Sequence, residues 1–310
     1  MHVRQIAGGY EVLAPAKLNL FLEVLDRRDD GFHEIETLMV PVGLFDSLSF
    51  REDSRGRLNL KCQWACGLQK HVEPDESGRS PVVEWEKLPE GYDNVAMRAV
   101  DLLRRRSGSS AGASLQLTKR IPSAAGLGGG SSDAAAALIA ANLAWKLGWP
   151  IDRVSQLAGE IGSDVPFFLG AGPALCQGRG ERIQPMTGLP SLDFVVAAPP
   201  EGLSTAAVYA ECRPGDPPRT ADGLLTALRS GNRRHLAGAV FNRLETAAGR
   251  LSPWIETMRA EFSKLDCIAA QMSGSGTSYF GICRNAGHAR RAARRLRSRG
   301  FQRVFAVRSL

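Results

Sequence analysis

The chain has 310 residues, 44% hydrophobic and 23% charged, a balance that excludes the disordered, collagenous and disulfide-scaffold classes and leaves room for two domains. Its longest wholly apolar run, residues 134–141, falls far short of the about 18 residues that cross a bilayer, and the opening MHVRQIAGGYEV has no basic region leading into an apolar block. Neither a membrane span nor a signal peptide is expected, cytoplasm is the expected compartment, and the formal charge of +7 favours an anionic partner such as a nucleotide, a diphosphate or a nucleic acid.

Residues 10–25 alternate, with Leu18, Leu20, Leu22 and Val24 on one side and Lys17, Asn19 and Glu23 on the other, which predicts a half-buried strand. The run DRRDDG is turn chemistry and 35–42 a second strand, so the pair reads as a hairpin with a polar tip. Short strands follow at 48–51 and 58–62. Residues 67–91, with Pro74, Gly78, Pro81 and Pro89 among many charges, read as an exposed excursion. Cys62, Cys66 and His71 lack a second ligand pair at metal spacing, so zinc is not expected there, and the six scattered cysteines fit reduced thiols.

A helix is predicted over 94–106, a strand over 114–117 and an alanine-rich helix over 131–147, ended by Gly148. The pattern loosens over 180–192, the expected domain boundary. Beyond it come a strand at 194–198, helices near 204–212, 221–230, 235–248 and 253–265, and strands entering Met272 and at 279–283. An arginine-rich helix within 289–300 and a strand at 301–307 close the chain. The arginines take one helical face and alanines the other, which reads as a solvated face rather than a nucleic-acid contact. Without the regular beat of a doubly wound sheet, both halves are expected to be α+β.

The stretch KRIPSAAGLGGGSSD, residues 119–133, places four glycines in five positions directly before the alanine helix. The first amides of a helix have no intrahelical partner and carry the positive end of its dipole. Side-chain-free backbone at Gly126, Gly128, Gly129 and Gly130 permits positive φ and close approach, and Ser131 and Ser132 add hydroxyl donors, so the loop suits a polyphosphate. It is not a Walker loop, because no lysine follows the last glycine, and Asp133 stands where a dinucleotide fingerprint wants glycine or alanine. Protein-kinase signatures are absent. A second glycine run, MSGSGTS over 272–278, lies between two predicted strands, where a hairpin turn and a ligand loop remain equally open. Asp164, an isolated carboxylate before the apolar run 165–169, is a turn residue or a functional one.

PAKLNLFLEV, PSAAGLGGGSSDAAAAL, GSDVPFFL and MSGSGTS, in that order, resemble the motifs of the GHMP small-molecule kinases. The turn Gly31-Phe32-His33 and the run FNRLE over 241–245 are similar to the branch that acts on a cytidyl diphosphate sugar alcohol. The resemblance implies ATP-dependent phosphorylation of a substrate hydroxyl on the non-mevalonate route to isoprenoid precursors, with magnesium accompanying ATP. It implies a GHMP kinase fold, with an N-terminal domain like domain 2 of ribosomal protein S5 over 1–185 packed on a ferredoxin-like domain over 186–310. A homoserine or mevalonate kinase would share the loops without the Gly-Phe-His turn. An RNA-binding protein on an S5-like fold would draw on the arginine helix.

By the same resemblance Asp164 accepts or orients the hydroxyl proton, and Lys17 matches a lysine beside it. ATP is expected at Asn94, Lys119, Pro122, Ser123, Ala124, Ala125, Gly126, Leu127, Gly128, Gly129, Gly130, Ser131 and Ser132. The substrate is expected at Asn19, Phe32, His33, Tyr209, Gly274, Ser275, Gly276 and Thr277, with no magnesium ligand assigned. Phe32 replaces a tyrosine common in that turn, and Arg243 stands where FNDLE has aspartate.

Overall fold

The computed structural model describes residues 1–66, 70–71, 82–83 and 88–310; most of the expected excursion, and the side chain of His71, lie outside the described residues. The chain forms two compact units, each drawn from several stretches of sequence. The first comprises Met1–Pro15, Phe45–Ile121 and Gly129–Leu169, and the second Ala16–Leu44, Pro122–Gly128 and Gly170–Leu310.

In the first unit β1 (His2–Ile6) pairs antiparallel with the start of β2 (Gly9–Arg27). The end of β3 (His33–Asp53) runs antiparallel to β7 (Gly112–Lys119), which pairs in parallel with β4 (Leu58–Trp64). β5 (Lys70–His71) and β6 (Val82–Val83) form a separate two-stranded pair. Helices α1 (Val95–Ser107), α2 (Gly129–Ala144) and α3 (Ile151–Ile161) complete the unit, α3 being an addition to the expected elements. α2 is apolar on every side, and its alanines from Ala134 to Ala137 are wholly buried, as an all-round apolar helix requires.

α2 begins two residues before the expected start and ends three before the expected end. Gly129 and Gly130 lie within its first turn, and the chain leaves it where Lys146 adopts a left-handed φ of 51°. There the Asn142 side chain folds forward to accept from Trp149 N and donate to Trp149 O.

In the second unit the first half of β3 pairs with β8 (Ala174–Gly178), which pairs with β9 (Arg182–Pro185), two further additions. After β10 (Asp193–Ala198) come α4 (Thr205–Glu211), α5 (Asp222–Ser230) and α6 (Arg233–Ala239). They are followed by β11 (Phe241–Asn242), α7 (Leu244–Leu251), α8 (Trp254–Phe262) and β12 (Ala269–Met272). β13 (Tyr279–Cys283), α9 (Ala286–Ser298) and β14 (Arg303–Arg308) end the chain. Strands β12, β13, β10 and β14 form an antiparallel four-stranded sheet in that order. Its core takes Ile255, Met258 and Phe262 from α8 and Ala289, Ala292, Ala293 and Leu296 from α9, leaving the arginines of α9 outside as the periodicity predicts. Both units are α+β, as expected.

Three expectations change. β2 is buried on both faces, because Lys17, Asn19 and Glu23 are covered and satisfied by specific partners rather than by water. The strands expected at 35–42 and 48–51 are one 21-residue strand, β3, whose two ends pair with different neighbours. The helix expected over 235–248 is interrupted, because Phe241 and Asn242 pair in parallel with Phe21 and Leu22, and the Asn242 side chain accepts from Leu244 N to start α7.

Candidate active site

Residues 122–128 belong to the second unit, and four successive carbonyls of this loop are taken by donors of that unit. Leu203 N donates to Ala124 O (3.3 Å), Ser278 N to Ala125 O (3.0 Å), Ser273 Oγ to Gly126 O (3.1 Å) and Lys17 N to Leu127 O (2.9 Å). In a planar trans peptide the N–H points opposite to the C=O, so the amides of Ala125, Gly126, Leu127 and Gly128 are turned away from these donors. Ala124, Gly126 and Gly128 have φ of 46°, 76° and 71°, and the chain then enters α2 at Gly129. A row of amides leading into a helix is of the kind that can hold an anion.

The bare backbone has steric causes as well. A Cβ on Gly126 would sit 1.9 Å from Ser273 O, and one on Gly274, where φ is 56°, would meet Gly126 O, Asn19 Oδ1 and Lys17 Nζ at 3.1–3.2 Å. The two glycine runs, read separately in the sequence, are therefore packed on one another, so 272–278 is more than a hairpin turn. In the first unit a Cβ on Gly129 would press on Ile121 Cγ2 (3.1 Å) and Lys119 Nζ (3.3 Å).

Beneath the loop, Lys17 Nζ donates to Asn19 Oδ1, Asn19 Nδ2 to Thr37 Oγ1 (2.8 Å), and Thr37 Oγ1 to Phe21 O (2.6 Å). Asn19 N donates to Ser273 Oγ (3.3 Å), and Asn242 Nδ2 holds Met272 O (2.9 Å) and Gly274 O (2.8 Å). Ser275 Oγ lies 2.9 Å from Thr205 Oγ1, and Thr277 Oγ1 donates to Glu201 O (2.6 Å). Thr37 and Ser273 were not singled out from the sequence; only their fixed contacts with distant residues mark them.

His33 and Tyr209 come together, with ring centroids 5.1 Å apart and planes 36° apart. Burial, with a smaller contribution from Arg27, lowers the His33 pKa and favours the neutral ring. The Phe32 ring is about half exposed beneath the Arg179 guanidinium, 4.7 Å from its centroid. Arg243 binds the buried Glu23 through Nε (2.6 Å) and Nη2 (2.8 Å), while Arg219 N (3.0 Å) and Val24 N (2.9 Å) donate to the same carboxylate. Burial alone would raise the Glu23 pKa, but these donors, Arg243 first, outweigh it and lower it. The arginine of FNRLE thus has a partner that its own strand pattern had placed toward solvent.

In the first unit, Asn94 caps α1, accepting from Ala96 N (3.0 Å) and donating to Pro89 O (3.1 Å). Asp164 is half-buried in the turn between α3 and the 3-10 turn Pro166–Leu169. Lys119 is buried with its ammonium between Asp46 and Asp133. Asp46 is well supplied, because Ile121 N (2.9 Å) and Arg120 N also donate to it, whereas Asp133 Oδ1 is buried without a partner. Burial alone would lower the Lys119 pKa, but the two carboxylates outweigh it and hold it high. Burial, reinforced by the Asp46 charge and only partly offset by Lys119, raises that of Asp133 well above the usual carboxylate range.

A folded-state pKa raised above the unfolded one makes stability fall as pH rises from the usual carboxylate value through the folded one. Asp133→Asn is expected to remove this slope: thermal melts between about pH 5 and pH 8 should show a flatter pH dependence and a Tm at the upper end no lower than wild type. An equal loss of Tm at every pH would contradict a raised Asp133 pKa.

Likeness to known proteins defines the class of these α+β units. The GHMP kinases N terminal domain model matches residues 94–172 and the GHMP kinases C terminal model residues 224–302. The 4-diphosphocytidyl-2-C-methyl-D-erythritol kinase of Pelotomaculum thermopropionicum is 39% identical over 287 residues, covering 92% of this chain and 93% of its own. That of Shouchella clausii is 38% identical over 307 residues, covering 96% and 94%. A crystal structure of 4-(cytidine 5'-diphospho)-2C-methyl-D-erythritol kinase superimposes with a TM-score of 0.76 at 34% identity, covering 96% of this chain and 98% of that one. A homoserine kinase from Cytophaga hutchinsonii, at 0.70 and 16% identity, shares the fold. The chain belongs to the GHMP kinase family, in its 4-diphosphocytidyl-2-C-methyl-D-erythritol kinase branch. Among the described residues, no helix is long and apolar enough to cross a membrane.

Proposed function

We propose that the protein transfers the γ-phosphoryl group of ATP to a hydroxyl of 4-diphosphocytidyl-2-C-methyl-D-erythritol, a step toward isoprenoid precursors by the non-mevalonate route. The observation that carries this reading is the full-length likeness to kinases of that name. The inward-held carbonyls of 124–127 support it, because the amides they turn outward fit the triphosphate. Asn94 and Lys119 stand toward the adenine end.

Phosphoryl transfer asks the protein mainly to align two oxygens and to offset charge on the moving group. Asp164 takes or orients the proton of the attacking hydroxyl. The Lys17 ammonium, aimed by Asn19, opposes the charge that builds up during transfer. Magnesium accompanying ATP would supply charge neutralisation at the phosphates. Ser132 Oγ in the first turn of α2 is a hard oxygen donor of the type that fits it, and it is buried without a hydrogen-bond partner. His33 and Tyr209 form the aromatic seat for cytosine, with Asn19, Phe32 and the loop from Gly274 to Thr277 at the substrate.

Steady-state turnover with ATP against the cytidyl substrate, homoserine and mevalonate tests the assignment. Activity on the first alone is expected, and turnover of either other alcohol with none of the cytidyl substrate would refute it. Stacking on an aromatic is worth about 1–3 kcal/mol per base, so His33→Ala is expected to raise KM for the cytidyl substrate roughly tenfold with kcat within about twofold. An unchanged KM would remove His33 from the seat.

A further inference from the structure

Apart from the kinase residues, the second unit brings together two thiols and an imidazole. Cys267 lies in the turn after α8, Cys283 ends β13 and His288 sits in the first turn of α9, and one donor atom from each lies within 4.8 Å of the others. Three elements within one stretch of the chain thus converge on one point.

The local structure holds these donors in place. Asp266, just before Cys267, adopts a left-handed φ of 55°, which turns the chain sharply out of the helix. The Cys267 sulfur then lies over Gly281, where a Cβ would come within 2.5 Å of it, and Cys283 Sγ is 3.7 Å from Gly281 O. A glycine at 281 thus leaves room for the Cys267 sulfur. His288 is fixed through its backbone, its N–H donating to Asn285 Oδ1 (2.9 Å). Its Nε2 lies 3.1 Å from Leu265 O, and a carbonyl can only accept, so Nε2 carries the proton and Nδ1 keeps its lone pair. Nδ1 accepts a hydrogen bond from Arg284 N (3.3 Å), which a metal ion at Nδ1 would have to displace. One ring nitrogen donating to a backbone carbonyl, with the other unprotonated, is the arrangement found behind metal-binding histidines.

We propose that Cys267, Cys283 and His288 form a binding site for a soft divalent cation, zinc above all, with a fourth position open to water. Two thiolates and a neutral imidazole suit zinc in preference to magnesium or calcium. Binding displaces the two thiol protons to solvent, and Zn²⁺ with two thiolates carries no net charge, so the complex is compatible with a half-buried position. Tetrahedral zinc with bonds of about 2.3 Å to sulfur and 2.0 Å to nitrogen places these ligands about 3.5–3.8 Å apart, so the donors draw in by about 1 Å. Cys267 is only partly buried and can make that movement. It lines a cleft of about 260 Å³ together with Ser263, Asp266 and Tyr279, which gives the ion a way in. The ion would tie the α8 turn, β13 and α9 together and raise Tm with concentration.

The test uses the full-length protein, reduced, stripped with EDTA and titrated with Zn²⁺ against a chromophoric chelator, alongside Cys267→Ser and Cys66→Ser. The proposal expects one equivalent bound by wild type and by the Cys66 variant, and a loss of about 100-fold or more in affinity for the Cys267 variant. Cobalt(II) in wild type should give a thiolate charge-transfer band and tetrahedral d–d absorption, both absent from the Cys267 variant. Wild type binding zinc no tighter than Cys267→Ser, or a cobalt spectrum that survives that substitution, would overturn the site.

Discussion

Asp164→Ala is expected to lower kcat by about 10²–10⁴-fold, the usual worth of general acid–base assistance, while the Kd for ATP stays within about threefold of wild type. The residue lies half-buried in the turn that follows α3, and thermal melts run beside the kinetics separate a loss of fold from a loss of chemistry. Asp164→Asn keeps the size of the side chain but not the base. Both variants should lose kcat and kcat/KM together, the signature of an interaction made only in the transition state. Rapid-quench single-turnover measurements with saturating ATP and cytidyl substrate read the chemical step itself. A near-normal rate in either variant would remove Asp164 from proton transfer.

The second large effect belongs to Gly126→Ala. Its new Cβ would lie 1.9 Å from Ser273 O, a backbone atom that cannot swing aside, and its φ of 76° is a region that alanine rarely enters. The two glycine runs must separate, which breaks the Ser273 link to Gly126 O and turns the following amides out of alignment. Positive φ alone costs an alanine about 1–2 kcal/mol, and the collision should bring the loss to about 3 kcal/mol, with kcat/KM down by about 100-fold or more. Gly8→Ala is the control: φ there is 74°, but nothing lies within 4 Å of the added carbon, so it should show only the backbone part and leave kinetics unchanged. Equal losses from the two substitutions, measured by thermal melts and ATP turnover, would mean that the loop contact contributes nothing.

Short-range patterns carried much of the fold. The periods of α1 and α9 can be read from neighbouring residues, because each buries one face, while β10 and β13, buried on both faces, show as short continuous apolar runs. The misreadings arise where distant residues override local preference. Lys17, Asn19 and Glu23 look like the wet side of a strand, yet each meets a specific partner, such as Arg243 for Glu23 across 220 positions. Phe241 and Asn242 sit within a helical pattern but pair with β2 instead.

The candidate site divides in the same way. The glycine loop announced itself, because four glycines before an apolar helix have few other uses. The pinning of its carbonyls by Leu203, Ser273, Ser278 and Lys17 is a long-range arrangement that no spacing encodes. Lys119 was legible as a member of a motif, but its place between Asp46 and Asp133 was not, since one of those partners is 73 residues away.

The carbonyl-pinned loop is the proposed seat of the triphosphate, and a crystal grown with a non-hydrolysable ATP analogue and magnesium tests it. The structure should show β- and γ-phosphate oxygens within hydrogen-bond reach of the amides of Ala125, Gly126, Leu127 and Gly128. A triphosphate bound elsewhere, with those amides facing only solvent, would contradict it.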